Sequence, residues 1–166
     1  KMCLHIGEKE NANLRILFAA AVLHDIGREE ELKSNRKIDH AEYGASISRR
    51  ILQDHHYIER EIDQISSCIL THRYRGDRVP ASLEAKILYD SDKIDAIGAI
   101  GIGRAFHFAS EIGARVHGTE ITLENSTEFS RDDTAYRHYL DKLCKVKDKL
   151  FTAEGKRIAE GRQQFM

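Results

Sequence analysis

Apolar positions along this chain recur mostly at spacings of three and four, the period of helices that bury one stripe. β-branched runs are few and the single proline is Pro80, so the pattern predicts an all-α fold, a helical bundle in one domain over residues 1–166. Met2, Cys3, Leu4 and Ile6 read as the closing turns of a first helix that ends within residues 7–13. A second helix is expected over 14–26, with Leu14, Leu17, Phe18, Ala21 and Val22 on its buried stripe and Gly27 as its stop. Its last turn carries the adjacent pair His24-Asp25. Asp25 falls three and four residues beyond the last stripe members and should face inward, with His24 beside it.

Residues 28–37 form a charged connection. Asp39 with Glu42 has the spacing of a capping box, opening a helix on which His40, Gly44, Ile47 and Ile51 share one face. The next helix, near 58–72, has an unbroken stripe of Ile58, Ile62, Ile65 and Ile69 that terminates in His72. After the basic loop 73–81, Ser82 is a fitting N-cap for a helix over 83–109 that is apolar almost all round and therefore central. Gly98, Gly101 and Gly103 would let neighbouring helices approach it closely. Within it stand Asp90, Asp92 and Asp95, and at least one of them should have a buried partner. Residues 118–133 are polar and read as a long loop. Tyr136, Leu140, Leu143, Val146 and Leu150 then form a stripe, His138 and Lys142 lie off it on the surface, and Thr152 caps a last helix.

Charge narrows the partners. Lys and Arg number 26 against 27 Asp and Glu, a net charge of −1, which gives no electrostatic case for a nucleic-acid polymer or an anionic membrane. No apolar run approaches the roughly 18 residues of a membrane helix and no signal peptide is visible, so we expect a cytoplasmic protein. Cys3, Cys68 and Cys144 are scattered without metal-like spacing, as reduced thiols would be. The chain opens on Lys1 rather than Met, and we expect residues to precede it.

His24, Asp25, His40, His72 and one or more of Asp90, Asp92 and Asp95 all project from the end or interior of a buried helix face. Each has an ordinary structural explanation: a satisfied His-Asp pair, an exposed helix-start histidine, a hydrogen-bonded core histidine, a solvated charge. Together they suit a metal centre between helices. Imidazole and carboxylate ligands fit Mn, Fe, Co, Ni or Zn better than an oxygen-only calcium cage, and the lack of thiolates disfavours a structural zinc site.

The segment AAVLHDIG at 20–27 resembles the motif that names the HD-domain metal-dependent phosphohydrolases. DHAEYGA at 39–45, the histidine of LTHRY and DSDKIDAIGAIGIGRAF at 90–106 resemble that superfamily's later landmarks in the same order. HYLDKL and GRQQFM resemble its small microbial members that act on nucleotides. The resemblance covers nearly the whole chain, with the metal-bearing core over 14–110. It implies metal ligation by His24, Asp25 and Asp92, with Asp90 as second choice for the distal ligand. It assigns His40 and His72 to a second ion or to substrate phosphate, and Arg28 and Lys93 to phosphate. It implies one or two divalent ions, drawn from Mn, Fe, Co, Ni, Mg and Zn. A further first-helix histidine of the family pattern would fall before Lys1, since His5 lies too close to His24 to serve.

The activity implied is hydrolysis of a phosphoester or phosphoanhydride by metal-bound hydroxide, the pKa of water falling from 15.7 toward about 7. Asp25 would also accept from the attacking water, Arg28 and Lys93 would offset phosphoryl charge, and His72 or His40 could protonate the leaving group. Arg28 reads equally well as a solvated charge past a helix end. The partner is then a small phosphorylated molecule, a nucleotide above all, and an oligomer is open. A di-iron oxygenase of the same superfamily and a non-catalytic nucleotide- or protein-binding helical module are the alternatives.

Overall fold

Polar side chains placed just ahead of apolar runs decide where several helices start. In the computed structural model, which describes residues 1–74, 77–118 and 120–166, the described residues form helices and turns but no strand. The helices are α1 (Met2–Lys9), α2 (Leu14–Leu23), α3 (Arg28–Lys33), α4 (His40–Asp54), α5 (Glu59–Thr71), α6 (Leu83–Ile94), α7 (Gly98–Glu111), α8 (Ala135–Asp141) and α9 (Ala153–Phe165). Asn13 caps α2 through the backbone N–H of Arg15 and Ile16, Asp39 caps α4 through Ala41 and Glu42, and Ser82 Oγ accepts from Ala85 N at the start of α6. Arg75 and Gly76 of the basic loop and Thr119 of the polar stretch lie outside the described residues. No described helix is long and apolar enough to cross a membrane.

The chain forms two compact units, residues 1–92 with 151–154 and residues 93–150 with 155–166. In the first, α4 packs on α5, α5 on α2, α2 on α1, and α3 on α4. The α5 stripe is buried as its sequence predicts from Ile62 onward: Ile62, Ile65 and Ile69 are fully buried, and so is His72 just past the helix end, whereas Ile58, the N-cap residue, is exposed. Each isoleucine contributes about 2 kcal/mol of burial, enough to carry a hydrogen-bonded imidazole inward with them. The Cys68 thiol shares this core, and burial pushes it up to about 12.

Several expectations are corrected in this unit. α2 stops at Leu23 rather than 26, and its buried face is Ile16, Leu17, Ala19 and Ala20, while Leu14, Phe18 and Val22 are exposed. Its sequence is apolar almost all round, so spacing alone does not fix which face turns inward. Residues 28–33 of the charged connection are helical. On α4 the buried set is His40, Ala41, Gly44, Ala45, Ser48 and Leu52, with Ile47 and Ile51 only half-buried. Asp90 is the aspartate with the expected buried partners: its carboxylate accepts from Thr152 Oγ1 at 2.6 Å, Thr152 N at 2.7 Å and Phe151 N at 3.0 Å, fixing the entry to α9.

In the second unit the helix expected over 83–109 is broken. α6 ends at Ile94 and α7 begins at Gly98, whose φ of +81° is one that L side chains rarely adopt. A Cβ on Gly101 would lie 2.2 Å from the Ala96 carbonyl oxygen, so that glycine serves the bend; Gly98 also lies close to α9, where a Cβ would meet Arg162 at 3.3 Å, and a Cβ on Gly103 would meet nothing within 4 Å. Arg162 donates to the Ile94 carbonyl at 2.7 Å, satisfying an end of α6. Leu143, Val146 and Leu150 are buried as expected, but Tyr136 is exposed. A buried pair, Arg137 with Asp133 at 3.1 Å, ties the polar stretch to α8 through Ser126 and the N–H of Phe129.

Asp39 generates a prediction. Burial would raise its carboxyl, but Arg73 at 2.6 Å and the N–H groups of Glu42 and Ala41 outweigh burial and hold it below the usual carboxylate range. A lowered folded pKa stabilises the protein above the unfolded value of about 3.9, and that contribution is lost as pH falls through the folded value. Asp39→Ala should therefore cost about 1 kcal/mol in urea unfolding at pH 7 and progressively less below pH ~4.

Candidate metal centre

Three backbone features bring the candidate ligands together. The turn after α2 carries His24 and Asp25, the first residue of α4 is His40, and the residue closing α5 is His72. Gly27 lets the turn lie against α4: a Cβ there would sit 2.3 Å from the His40 carbonyl oxygen and 3.0 Å from Gly44 N. Its φ of −85° and ψ of −3° are right-handed, so its role is close approach and not the left-handed helix stop expected from sequence.

Asp25, His40 and His72 each present one ligand atom, and these atoms all lie within 4.8 Å of one another. Asp25 Oδ1 is 3.5 Å from His72 Nε2 and 3.6 Å from His40 Nε2, and the two Nε2 atoms are 3.2 Å apart. Both imidazoles are 1% exposed. The Asp25 side chain is 42% exposed, so it is less inward than expected and leaves the centre open on one side.

The hydrogen-bond partners assign the ring protons. His72 Nδ1 faces the Ile69 carbonyl at 2.6 Å, and a carbonyl only accepts, so the proton is on Nδ1. His40 Nδ1 faces the Glu31 carboxylate at 2.9 Å and donates likewise. His24 Nδ1 donates to the Ala21 carbonyl at 2.9 Å. In the neutral ring of each, Nε2 is then the nitrogen left to ligate. With both protons on Nδ1, the buried His40 and His72 Nε2 atoms face each other without a donor, at about 1–3 kcal/mol per orphaned group, while Asp25 Oδ1 beside them accepts from Arg28 Nε. A shared proton or a cation would relieve them.

The donor set fits a divalent metal ion. Two nitrogens each about 2.1 Å from one ion, at tetrahedral to octahedral angles, lie roughly 3.0–3.4 Å apart, which brackets the spacing of the Nε2 atoms. Electrostatics agree. Burial keeps the His40 imidazole below its ordinary value, against the pull of Glu31, so it is neutral and able to ligate. Burial would raise the Asp25 carboxyl, but a proton shared with His72 and the positive charge beside it, Arg28 above all, outweigh burial and hold it well below the usual range, an ionised ligand.

The remaining candidates are placed as follows. His24 is outside the three-residue group but adjoins it, with Nε2 3.6 Å from Asp25 Oδ2 and its ring edge-on to His72 at 5.2 Å between centroids. The two Asp25 oxygens thus face different imidazoles, Oδ2 toward His24 and Oδ1 toward His40 and His72. Asp92 is half-buried on α6 and is not a member of the group; Asp90 is committed to Thr152 and Phe151. Arg28 donates from Nε to Asp25 Oδ1 at 2.9 Å and from a terminal nitrogen to Glu31 at 3.2 Å, so it is tied to the centre and not merely solvated. Lys93 is buried and opens the second unit.

Sequence reasoning missed Glu31. It lies in the charged run REEELK, which reads as solvated, and its partner His40 is nine residues away with no periodicity linking the two. Arg73 was also unassigned; it bonds Asp39 at 2.6 Å and approaches Glu31 at 3.8 Å.

Comparison with known proteins adds the following. The HD domain family pattern matches residues 1–97. The uncharacterized protein YpgQ of Bacillus subtilis (strain 168) is 32% identical over 166 residues, 99% of this chain and 74% of that protein. The crystal structure of Bacillus subtilis YpgQ in complex with ADP matches with a TM-score of 0.76 at 31% identity, covering 99% of this chain and 75% of that one. An HD-superfamily hydrolase of Bacillus thuringiensis matches with a TM-score of 0.75 at 27% identity, over 99% and 74% of the respective chains.

Two predictions follow from the geometry. His40→Ala and His72→Ala should each weaken Mn(II) binding, measured by competition with a fluorescent chelator, by more than the roughly 10–100-fold of an outer-shell change. Gly27→Ala should cost about 1–3 kcal/mol in thermal unfolding, because the contact it meets is backbone that cannot give way, and should weaken Mn(II) binding by displacing His40.

Proposed function

This chain belongs to the HD domain family, and on that footing we propose that it is a metal-dependent phosphohydrolase whose substrate is a nucleotide. Solved relatives include HD-superfamily hydrolases. The observation that carries the reading is the meeting of Asp25, His40 and His72 ligand atoms within 4.8 Å of one another, with the Nδ1 of each imidazole turned to an acceptor. The ADP complex of YpgQ supports a nucleotide as the ligand class.

Asp25 Oδ1, His40 Nε2 and His72 Nε2 would hold one ion, and Asp25 Oδ2, His24 and Asp92 would contribute to another. A bound divalent ion supplies a Lewis acid for a phosphoryl oxygen and lowers the pKa of water from 15.7 toward about 7. His40 and His72 are buried, and their Nδ1 protons are held by Glu31 and the Ile69 carbonyl. We therefore assign them to ligation rather than to proton delivery. Asp25, ionised and open to solvent on one side, is placed to accept a hydrogen bond from an attacking water and orient it. Arg28 is half-exposed and lies against two carboxylates; its planar guanidinium can exchange them for phosphate oxygens.

The test is turnover. Metal-stripped protein given back Mn, Co or Mg should release phosphate or pyrophosphate from a nucleoside tri-, di- or monophosphate. His24→Ala and Asp92→Ala should abolish release, and Arg28→Ala should lower kcat/KM by about ten- to a hundred-fold, the worth of a charged hydrogen bond. Stoichiometric bound metal with no turnover of any nucleotide would overturn the reading in favour of an oxygenase or a binding module.

A further inference from the structure

α3 is a six-residue helix of charged side chains, yet its Glu31 is 8% exposed. A carboxylate is taken out of water only where contacts repay the loss. Here one oxygen accepts from His40 Nδ1 at 2.9 Å and the other from Arg28 at 3.2 Å, with Arg73 at 3.8 Å. Burial would raise the Glu31 carboxyl; His40 and the two guanidinium groups outweigh it and keep it ionised.

These contacts close a ring. Glu31 holds His40 by Nδ1, and His40 Nε2 faces Asp25 Oδ1 at 3.6 Å. Asp25 Oδ1 accepts from Arg28 Nε at 2.9 Å, and Arg28 returns to Glu31. A neutral imidazole has one N–H to place. His24 and His72 have theirs fixed by the backbone carbonyls of Ala21 and Ile69, inside their own helices. His40 is the first residue of α4, where no preceding helical turn offers such a carbonyl. Its proton is fixed by a side chain instead.

We propose that Glu31 is a positioning residue for the metal centre: it holds His40 in the Nδ1–H tautomer with the Nε2 lone pair turned to the ion, and through Arg28 it sets the Asp25 carboxylate. The proposal rests on the metal-centre reading above. Without an acceptor at Nδ1, the His40 proton redistributes to Nε2, and that tautomer cannot ligate. A Glu31 that served only as an ion-pair partner for Arg28 would leave the tautomer untouched.

The experiment uses the full chain with Glu31→Met, which keeps the length and removes both oxygens, and Glu31→Gln, which keeps one acceptor. Folding is checked by circular dichroism. Long-range 15N–1H NMR of the metal-free protein at pH 8 reads each imidazole tautomer, and chelator competition reads Mn(II) affinity. In the wild type, His40 is expected as Nδ1–H. In Glu31→Met the Nε2–H form of His40 should appear while His72 stays Nδ1–H, and Mn(II) affinity should fall about 10–100-fold. Glu31→Gln should fall between, since Arg28 competes for its single oxygen. Wild-type tautomer and Mn(II) affinity within twofold in the folded Met variant overturn the proposal; if that variant does not fold, the same result in Glu31→Gln does so. The hydrolase reading fails separately, by wild-type protein that binds Mn(II) and turns over no nucleotide, and the tautomer readout stands either way.

Discussion

Two imidazole lone pairs and a carboxylate oxygen are pointed at one another in a space a few ångströms across, and the first unit is built around that arrangement. It is unfavourable by itself, so something else must impose it. The apolar stripe of α5 does so for His72, because burying Ile62, Ile65 and Ile69 draws the helix end inward. The Asp39 cap does so for His40, by starting α4 at that residue. Gly27 lets the His24-Asp25 turn close on both. Packing and capping elsewhere in the unit hold a cluster whose donor atoms fit a divalent cation.

The ring protons, placed on Nδ1, leave Nε2 of each imidazole for the cluster. Each Nδ1 proton is held by a different kind of acceptor position: a carbonyl within α2, a carbonyl within α5, and a carboxylate on α3. The short α3 therefore has a reason to exist that its composition does not suggest. Arg28 binds both Asp25 and Glu31 and so ties α3 to the ligand cluster. Away from the centre, Asp90 shows the opposite use of a buried carboxylate: three donors from Phe151 and Thr152 satisfy it completely and fix the approach to α9.

Much of this was legible in the sequence because it is written in local periodicity. The α5 stripe, the Asp39 cap and the helix-end positions of His24, His40 and His72 follow from spacings of three and four, and so does the all-α class. What was not legible depended on distance or on phase. α2 is apolar on nearly every side, so Phe18 and Val22 could be taken for core when Ile16 and Ala20 are. The break between α6 and α7 was hidden because nothing local announces the positive φ of Gly98. Glu31 and His40, and Asp90 and Thr152, are pairs made by tertiary structure, nine and 62 residues apart.

The central claim is that Asp25, His40 and His72 surround a divalent cation. Anomalous diffraction from crystals of the protein grown with Mn(II), collected on either side of the manganese edge, tests it most directly. The account predicts an anomalous peak bonded to Asp25 Oδ1, His40 Nε2 and His72 Nε2. Full-occupancy manganese elsewhere in the chain, with those three atoms joined only by a shared proton, would contradict it.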